Sequence, residues 1–336
     1  MKIFNKKTIR TYFGLIIGLI FIAFILKNID IHKSIEAVKH LNFVYVVLMI
    51  PLYYSSFLFR ALRWKAILAE NKKIKLNSFL NSILRGWAVN SIVPARGGEI
   101  YRAHHFGKKE NLSRITILAS IVLERIFDGI VLFLILFFLV SFVYSNKKLF
   151  GVAVVAGIVF VGVFSGLLLI SKFYKNTFIQ EKFCSITAPL KKYKIFHKIN
   201  SLITSFMTGL DVFNAPVLIL KAFLFTILVW LCEGATLFLL IKGFGYSIGL
   251  VGSLFVLSIV AFVSLIPGGP AALGPLQWGF IMALGFFKVS HETAFAVSIV
   301  SQIFSTSFVF IGSLIFVLAE HFNLKKLKEE NYTFGS

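Results

Sequence analysis

The chain has few charged residues and few cysteines for its length. Aspartate, glutamate, lysine and arginine make up 15% of its 336 residues, whereas 58% are hydrophobic. Soluble domains are about 25% charged and about 45–50% apolar, so this composition excludes a typical soluble domain. The two cysteines, Cys184 and Cys232, lie far apart and form no CxxC motif. Neither a disulfide nor a thiolate metal site is therefore expected.

Motifs of common enzyme classes are also missing from the sequence. It contains no G-x-S-x-G nucleophile elbow and no phosphate-binding P-loop. His104 and His105 are adjacent but lack further ligands at metal-binding spacing, so no metal site is predicted. We therefore expect no catalytic residues, no cofactor and no enzyme activity.

Acidic residues are scarce: 14 stand against 35 basic residues, which gives a formal net charge of +21. In a soluble protein this charge would suggest nucleic-acid binding, but no motif for that function accompanies it. The basic residues gather between long apolar runs, in the pattern that orients membrane helices. The pattern predicts a multi-pass protein of the cell membrane with both termini in the cytoplasm and membrane lipids as partners.

Apolar runs of membrane length predict an all-α multi-pass membrane protein. About six of them are interpreted as full spans, at residues 11–26, 43–59, 115–144, 149–171, 216–241 and 293–321. Two more apolar segments, 79–94 and one within 248–287, are broken by proline and glycine. These are predicted to be re-entrant, entering the membrane and turning back. Arg60 and Arg63 follow the second span and are assigned to its cytoplasmic flank.

The order of spans and broken segments occurs twice. Residues 43–145 and 216–321 each contain a span, a broken segment and a long span. The basic residues give the two halves opposite orientations. This pattern predicts an inverted repeat, which is typical of transporters with a site between the halves. Residues 172–215 are interpreted as a basic cytoplasmic linker, and residues 1–336 as a single membrane domain.

A stripe of charged residues lies beside the first broken segment. Arg96, Glu99 and Arg102 are spaced three apart, so on a helix they lie along one face. Charge inside a membrane is costly and usually functional. Because guanidinium groups present forked donors to phosphate oxygens, the stripe is a candidate headgroup site. A salt-bridge cluster at the cytoplasmic rim is the alternative.

The following span carries three more charged residues. Glu124 and Asp128 share a helix face, and Arg125 lies about 100° around the helix from Glu124. In hydrocarbon such groups must pair or face a wet cavity. We therefore expect one of the two carboxylates to pair with an arginine of the 96–102 stripe. An inert staple between helices is the alternative to a binding site.

Two polar candidates come from the second half. Glu233 has no charged neighbour in its apolar span. An unpaired buried carboxylate is expected to be protonated, which makes Glu233 a candidate for proton coupling; a hydrogen-bonded structural role is the alternative. Gln277 follows the PGGPAALGP turn and is expected to line the same cavity as the charged residues of the first half.

Four sequence segments carry a resemblance to a known family. NSIVPARGGEIYR, ERIFDG, IPGGPAALGPLQW and RALRW resemble the flippase-like membrane domain of the lysylphosphatidylglycerol synthase family, and the resemblance covers nearly the whole chain. It implies translocation of a lipid headgroup. By matching motif it implies the cavity residues Arg96, Glu99, Arg102, Glu124, Arg125 and Asp128. The chain departs from the family at Gln277, where a glutamate is usual, and it is expected to lack the soluble aminoacyl-transferase domain.

The leading hypothesis is a flippase that moves a lipid or lipid-linked saccharide without ATP. An anionic or polyprenyl-linked headgroup would bind Arg96 and Arg102, with the carboxylates balancing charge. One alternative is a membrane-embedded transferase or hydrolase acting on lipid phosphates, with glutamate and aspartate as acid or base. Another is an assembly partner of a cell-envelope enzyme. A homodimer and a separate lipid-modifying enzyme or glycosyltransferase are the further partners considered.

Overall fold

The computed structural model describes residues 6–68, 74–93, 97–141, 147–175, 194–266 and 268–333. All regular structure within these ranges is helical, which confirms the all-α class. The helices are α1 (Lys6–Lys27), α2 (Ile31–Lys39), α3 (Phe43–Ile67), α4 (Leu76–Ile92), α5 (Gly97–Lys109), α6 (Arg114–Leu139), α7 (Lys147–Lys175), α8 (Lys194–Thr208), α9 (Pro216–Gly243), α10 (Gly249–Val263), α11 (Pro275–Gly285) and α12 (His291–Thr333), with short 3-10 helices at Asp211–Asn214 and Pro270–Ala272.

Four of the described helices are long and apolar enough to cross a membrane. They are all or part of α3, α7, α9 and α12, with candidate spans Phe43–Ile67, Ala153–Tyr174, Pro216–Gly243 and His291–His321. Each coincides with a span predicted from the sequence. Helix α6 has 26 residues, a length of about 39 Å at 1.5 Å per residue, so it too is long enough to cross. Its apolar character is broken by the charged residues at 124, 125 and 128.

Helices α3 and α9 pack against each other along most of their length and run antiparallel. At one end the Asn42 backbone N–H donates to the carbonyl oxygen of Gly243, at 3.0 Å. Towards the other end Arg63 Nη1 donates to Thr226 Oγ1, at 3.3 Å. Helix α3 continues to Ile67, beyond residue 59, which is the predicted end of this span. The continuation carries two arginines into the helix bundle.

The first broken segment forms a tight helical hairpin of α4 and α5. The side-chain oxygen of Asn90 accepts a hydrogen bond from the Gly98 N–H, at 2.7 Å, and so caps the start of α5. A Cβ atom on Gly98 would lie 1.9 Å from the carbonyl oxygen of Gly86. The two backbones approach this closely because both residues lack a side chain. This contact fixes the direction in which α5 presents its charged face.

Replacing Gly98 by alanine is therefore expected to force the hairpin open. The new methyl group would meet backbone atoms, which cannot move aside as a flexible side chain can, so we expect a loss of about 3 kcal/mol, the upper end for overpacking. Thermal denaturation in detergent measures the loss. Gly162→Ala on α7 is the matched control, because a Cβ there has nothing within 4 Å. Equal melting temperatures for the two variants would contradict the tight contact.

Gln277 closes the turn of the second broken segment, between α10 and α11. Its Oε1 accepts the Gly274 N–H at 2.7 Å, and its Nε2 donates to Gln302 Oε1 at 2.6 Å. Gln302 Nε2 in turn donates to the carbonyl oxygen of Ala271, at 3.1 Å. Ala271 and Gly274 have φ angles of 51° and 98°, so the chain turns sharply here. The two glutamines hold this conformation from α11 and α12.

The last helix is tied to the first hairpin by a polar contact. Glu320 of α12 accepts hydrogen bonds from Asn81 at 2.8 Å and Lys109 at 2.5 Å, and it also pairs with Arg85.

The basic linker predicted at 172–215 is described only in part, because residues 176–193 lie outside the described ranges. Its helix α8 packs on α6. The division into two halves and a linker remains a prediction.

Candidate functional site

Charged side chains from four helices, α3, α5, α6 and α9, meet inside the bundle. Arg60 and Arg63 stand three residues apart on α3, so they lie on the same side of the helix. They are only 5% and 1% exposed. Placing them beyond the end of the span was therefore wrong: the helix continues past them, and their partners lie on α6 and α9. Their side of the membrane remains a prediction.

Arg102 of α5 and Glu124 of α6 form a bidentate ion pair. Arg102 Nη1 lies 2.6 Å from Glu124 Oε2, and Nη2 lies 3.1 Å from Oε1. Both residues are buried. The Arg102 guanidinium also stacks on Trp64 of α3, 3.4 Å from the ring centroid, a favourable cation–π contact. The predicted pairing of an α6 carboxylate with an arginine of the 96–102 stripe is confirmed.

Arg63 bridges the two carboxylates of α6. Its Nη1 lies 2.5 Å from Asp128 Oδ1, and its Nη2 lies 3.8 Å from Glu124 Oε1. Asp128 Oδ1 also accepts a hydrogen bond from the indole N–H of Trp230 on α9, at 3.2 Å. Because Glu124 and Asp128 are one turn apart on α6, a single guanidinium reaches both. Arg63 thus joins α3 to α6, and Asp128 extends the network to α9.

Arg125 and Glu99 lie at the accessible edge of the network. Arg125 Nε lies 3.0 Å from Glu99 Oε1 on α5, and its Nη1 donates to Asp128 Oδ2 at 3.4 Å. The side chains of Arg125 and Glu99 are 31% and 23% exposed, far more than the Arg63 and Glu124 side chains. This edge is therefore the most exposed part of the network among the residues that the structure describes.

Glu233 of α9 is paired, although the sequence shows no charged neighbour for it. Arg60 Nη2 and Ser56 Oγ, both on α3, donate to Glu233 Oε1 at 3.0 Å and 2.9 Å. The expectation that Glu233 is unpaired was wrong, because its partner lies on a helix 173 positions away in sequence. Proton coupling at Glu233 remains a prediction, and it must now start from an ion pair.

The network is electrically balanced among the residues that the structure describes. It holds the four arginines Arg60, Arg63, Arg102 and Arg125 and the four carboxylates Glu99, Glu124, Asp128 and Glu233. Balance lets these charges remain buried, since an unpaired ion there would be expensive. The Nε–H groups of the three most buried arginines, Arg60, Arg63 and Arg102, nevertheless have no acceptor within the described part of the chain.

One predicted site residue, Arg96, lies outside the described residues, and another does not join this network. Gln277 is fully buried and hydrogen-bonded within the turn of the second broken segment, so its expected place in the same cavity is not borne out by its contacts. Arg60, Arg63 and Trp230, in turn, belong to the network although they were not predicted to be site residues. The RALRW spacing held a signal for the two arginines, because it puts both on one helix face.

No solved structure matches the chain. Curated proteins that match it include two UPF0104 membrane proteins of Methanocaldococcus jannaschii and one of Pyrococcus horikoshii. The first is 26% identical over 73% of this chain and 99% of the relative. The second is 29% identical over 90% and 93%, and the Pyrococcus protein is 24% identical over 86% and 90%.

A family profile gives the assignment. The profile described as the lysylphosphatidylglycerol synthase TM region matches residues 12–313, a range that includes α3 to α6, α9 and therefore every charged residue of the network. With its membrane-length helices, the chain belongs to the lysylphosphatidylglycerol synthase transmembrane-region family.

Proposed function

We propose that the protein moves a phosphate-bearing lipid headgroup across the bilayer without ATP. The observation that carries the proposal is the buried network of four arginines and four carboxylates between membrane-length helices. Ionised groups inside membrane helices typically mark a substrate or ion pathway. The headgroup belongs to a membrane lipid or a lipid-linked saccharide.

The chemistry of the network suits a phosphate. Guanidinium groups bind phosphate oxygens through forked donors, and the buried Nε–H groups of Arg60, Arg63 and Arg102 have no acceptor among the described residues. Each arginine also has a carboxylate partner, so the site is charge-balanced when empty. A phosphate can enter by exchange with a carboxylate, which keeps every arginine paired.

Helix positions support an inverted repeat. Helices α3 and α9 begin at residues 43 and 216, and α4 and α10 begin at residues 76 and 249, so both pairs are offset by 173 residues. Each half then continues with a broken helix pair and a long helix. Equivalent helices in an inverted repeat run in opposite directions, as α3 and α9 do.

The same offset relates Arg60 to Glu233, and these two side chains touch, at 3.0 Å. When two units are related by a two-fold axis, a residue that touches its own counterpart lies next to that axis. The ion pair therefore lies where the halves meet, which is where inverted-repeat transporters bind cargo. The full topology that we propose has about six crossings and two re-entrant hairpins in the cell membrane, with both termini in the cytoplasm.

Reconstitution into lipid vesicles tests the proposal. The purified full chain is placed in phosphatidylcholine vesicles carrying a trace of acyl-labelled phosphatidylglycerol, phosphatidylethanolamine, polyprenyl phosphate or a phosphate-free glycolipid. We expect faster crossing than in protein-free vesicles for at least one phosphate-bearing lipid, and no acceleration for the phosphate-free glycolipid. The masses of the lipids are measured before and after incubation.

Two results would count against the proposal. Crossing no faster than in protein-free vesicles, for every lipid tried, would contradict it. A change in lipid mass would instead favour a transferase or hydrolase acting on lipid phosphates.

A further inference from the structure

The Arg60–Glu233 pair is the most weakly held ion pair among the buried arginines of the network. Arg60 reaches one oxygen of one carboxylate, at 3.0 Å. Arg102, by contrast, binds both oxygens of Glu124, and Arg63 contacts two carboxylates. The pair also joins α3 to α9 at the contact between the proposed halves. A carboxylate that is bound through one oxygen is the easiest partner for an incoming anion to replace.

Aromatic rings surround the Arg60 guanidinium without neutralising it. Its Cζ atom lies 4.9 Å from the ring centroid of Trp87, 5.9 Å from that of Trp230 and 6.0 Å from that of Phe57. Such rings hold a cation in place through their quadrupoles. Arg60 therefore keeps its position and its charge when its carboxylate leaves. Its buried Nε–H, which has no acceptor among the described residues, is a ready donor to an anion.

Glu233 borders a small cavity lined by both apolar and polar side chains. Its Oε1 is bound by Arg60 and Ser56, whereas for Oε2 the described residues offer no hydrogen-bond partner. The carboxylate lines a cavity of about 60 Å³, whose other polar lining residues are Tyr53, Thr236, Ser301 and Ser305. A cavity of this size has room for water, and these side chains offer it hydrogen-bond partners. Glu233 therefore has arginine on one side and a water-sized space on the other.

We propose that an anionic headgroup displaces Glu233 from Arg60, and that the displaced Glu233 takes up a proton from the buffered solution, relayed by water in the cavity. The inference rests on the proposed function and adds its coupling ion. Charge balance favours this proton uptake. The Arg60–Glu233 pair is neutral, and an Arg60–anion pair and a protonated Glu233 are also neutral. Without the proton, the entering anion would leave a second negative charge in the bundle, at a high desolvation cost.

The groups around Glu233 permit this change. Helix α3 presents Arg60, Ser56 and the phenol of Tyr53, and α9 itself contributes Cys232 as the sequence neighbour. Asp128 of α6 is one step removed, bound to Trp230. The cavity walls from α10, α11 and α12 are apolar side chains and the hydroxyls of Ser301 and Ser305. Among described residues Arg60 is the one cation paired with Glu233, so its capture by an anion removes the group that keeps Glu233 ionised.

Calorimetry on the purified full chain measures the proton directly. Soluble dihexanoyl phosphatidylglycerol is titrated into the protein in buffers that differ in ionisation enthalpy, and the buffer dependence of the heat gives the protons taken up for each lipid bound. We expect the wild type to take up one proton for each lipid, and Glu233→Gln to bind with none. Cys232→Ser, the neighbouring control, is expected to keep the uptake. Binding by the wild type without proton uptake, or uptake that persists in Glu233→Gln, would overturn the inference.

A pH gradient across the vesicles separates this inference from the proposed function. With coupling to one proton, acyl-labelled phosphatidylglycerol accumulates in the leaflet facing the alkaline side, up to about tenfold for each unit of pH difference. We expect the accumulation in the wild type and its loss in Glu233→Gln. Rapid crossing that ends in an even distribution would refute proton coupling while leaving the flippase proposal standing. Absence of crossing for every lipid would refute the flippase proposal itself.

Discussion

Replacing Asp128 by alanine is expected to destabilise the protein by about 3–5 kcal/mol, the cost of breaking a buried ion pair from one side. Asp128 lies 2.5 Å from Arg63 and 3.4 Å from Arg125, and it accepts a hydrogen bond from Trp230. Without it, the two arginines share the remaining carboxylates, and the network carries an uncompensated positive charge in a buried position. Thermal denaturation of the purified protein in detergent measures the loss.

Two controls separate charge from general damage. Asp128→Asn keeps an acceptor for Trp230 and removes only the charge, so its melting temperature should lie between those of wild type and Asp128→Ala. Asp30→Ala removes a helix cap on the exposed N-terminus of α2, where a loss of about 1 kcal/mol is expected. If Asp128→Ala has the same melting temperature as Asp30→Ala, the α6 carboxylates do not stabilise the helix bundle.

The second large effect concerns the Arg102–Glu124 pair, removed singly and together. Arg102→Met leaves Glu124 with only the 3.8 Å contact to Arg63, and Glu124→Leu leaves Arg102 without its carboxylate. Each single variant therefore carries an uncompensated buried charge, at a cost of about 3–5 kcal/mol. The double variant leaves none, because Arg63 and Asp128 still pair with each other. Replacing a whole buried pair by apolar residues of similar size is often neutral or stabilising by about 1–4 kcal/mol. We therefore expect the double variant to be at least as stable as wild type.

This double-mutant cycle tests charge balance, and it supplies the variant needed to distinguish a structural contact from a binding site. A structural staple and a binding site both predict unstable single variants, so the singles alone decide nothing. The stable double variant provides a folded protein without one of the buried arginines. A double variant that melts below both single variants would show that the pair contributes more than mutual neutralisation, and the charge-balance account would then be wrong.

The sequence predicted the helices better than it predicted their partners. Spans at 43–59, 149–171, 216–241 and 293–321 were recognised because long apolar runs have one stable form in a membrane. The broken segments were recognised because proline and glycine interrupt helices. The end of α3 was missed by eight residues, since charged residues close to a span are as typical of a flank as of a buried site.

Side-chain partners across helices were predicted only where the spacing was short. The pairing of an α6 carboxylate with the 96–102 stripe came from charges about twenty residues apart, and Arg102 and Glu124 bear it out. Glu233 was expected to have no ion-pair partner, because no residue in its own span indicates that Arg60 lies beside it. Gln277 was placed in the cavity by its polarity, whereas the structure uses it to hold a turn. Polarity predicts that a buried group has a partner but not which one.

We expect the buried ion network to hold the headgroup during its passage. Vesicles of phosphatidylcholine with a trace of acyl-labelled phosphatidylglycerol are prepared with wild type or with the Arg102→Met/Glu124→Leu double variant, at equal amounts of folded protein. We predict rapid crossing with wild type and crossing at the protein-free rate with the double variant. Equal rates for the two proteins would contradict this expectation, because the Arg102–Glu124 pair would then be a structural contact that transport does not need.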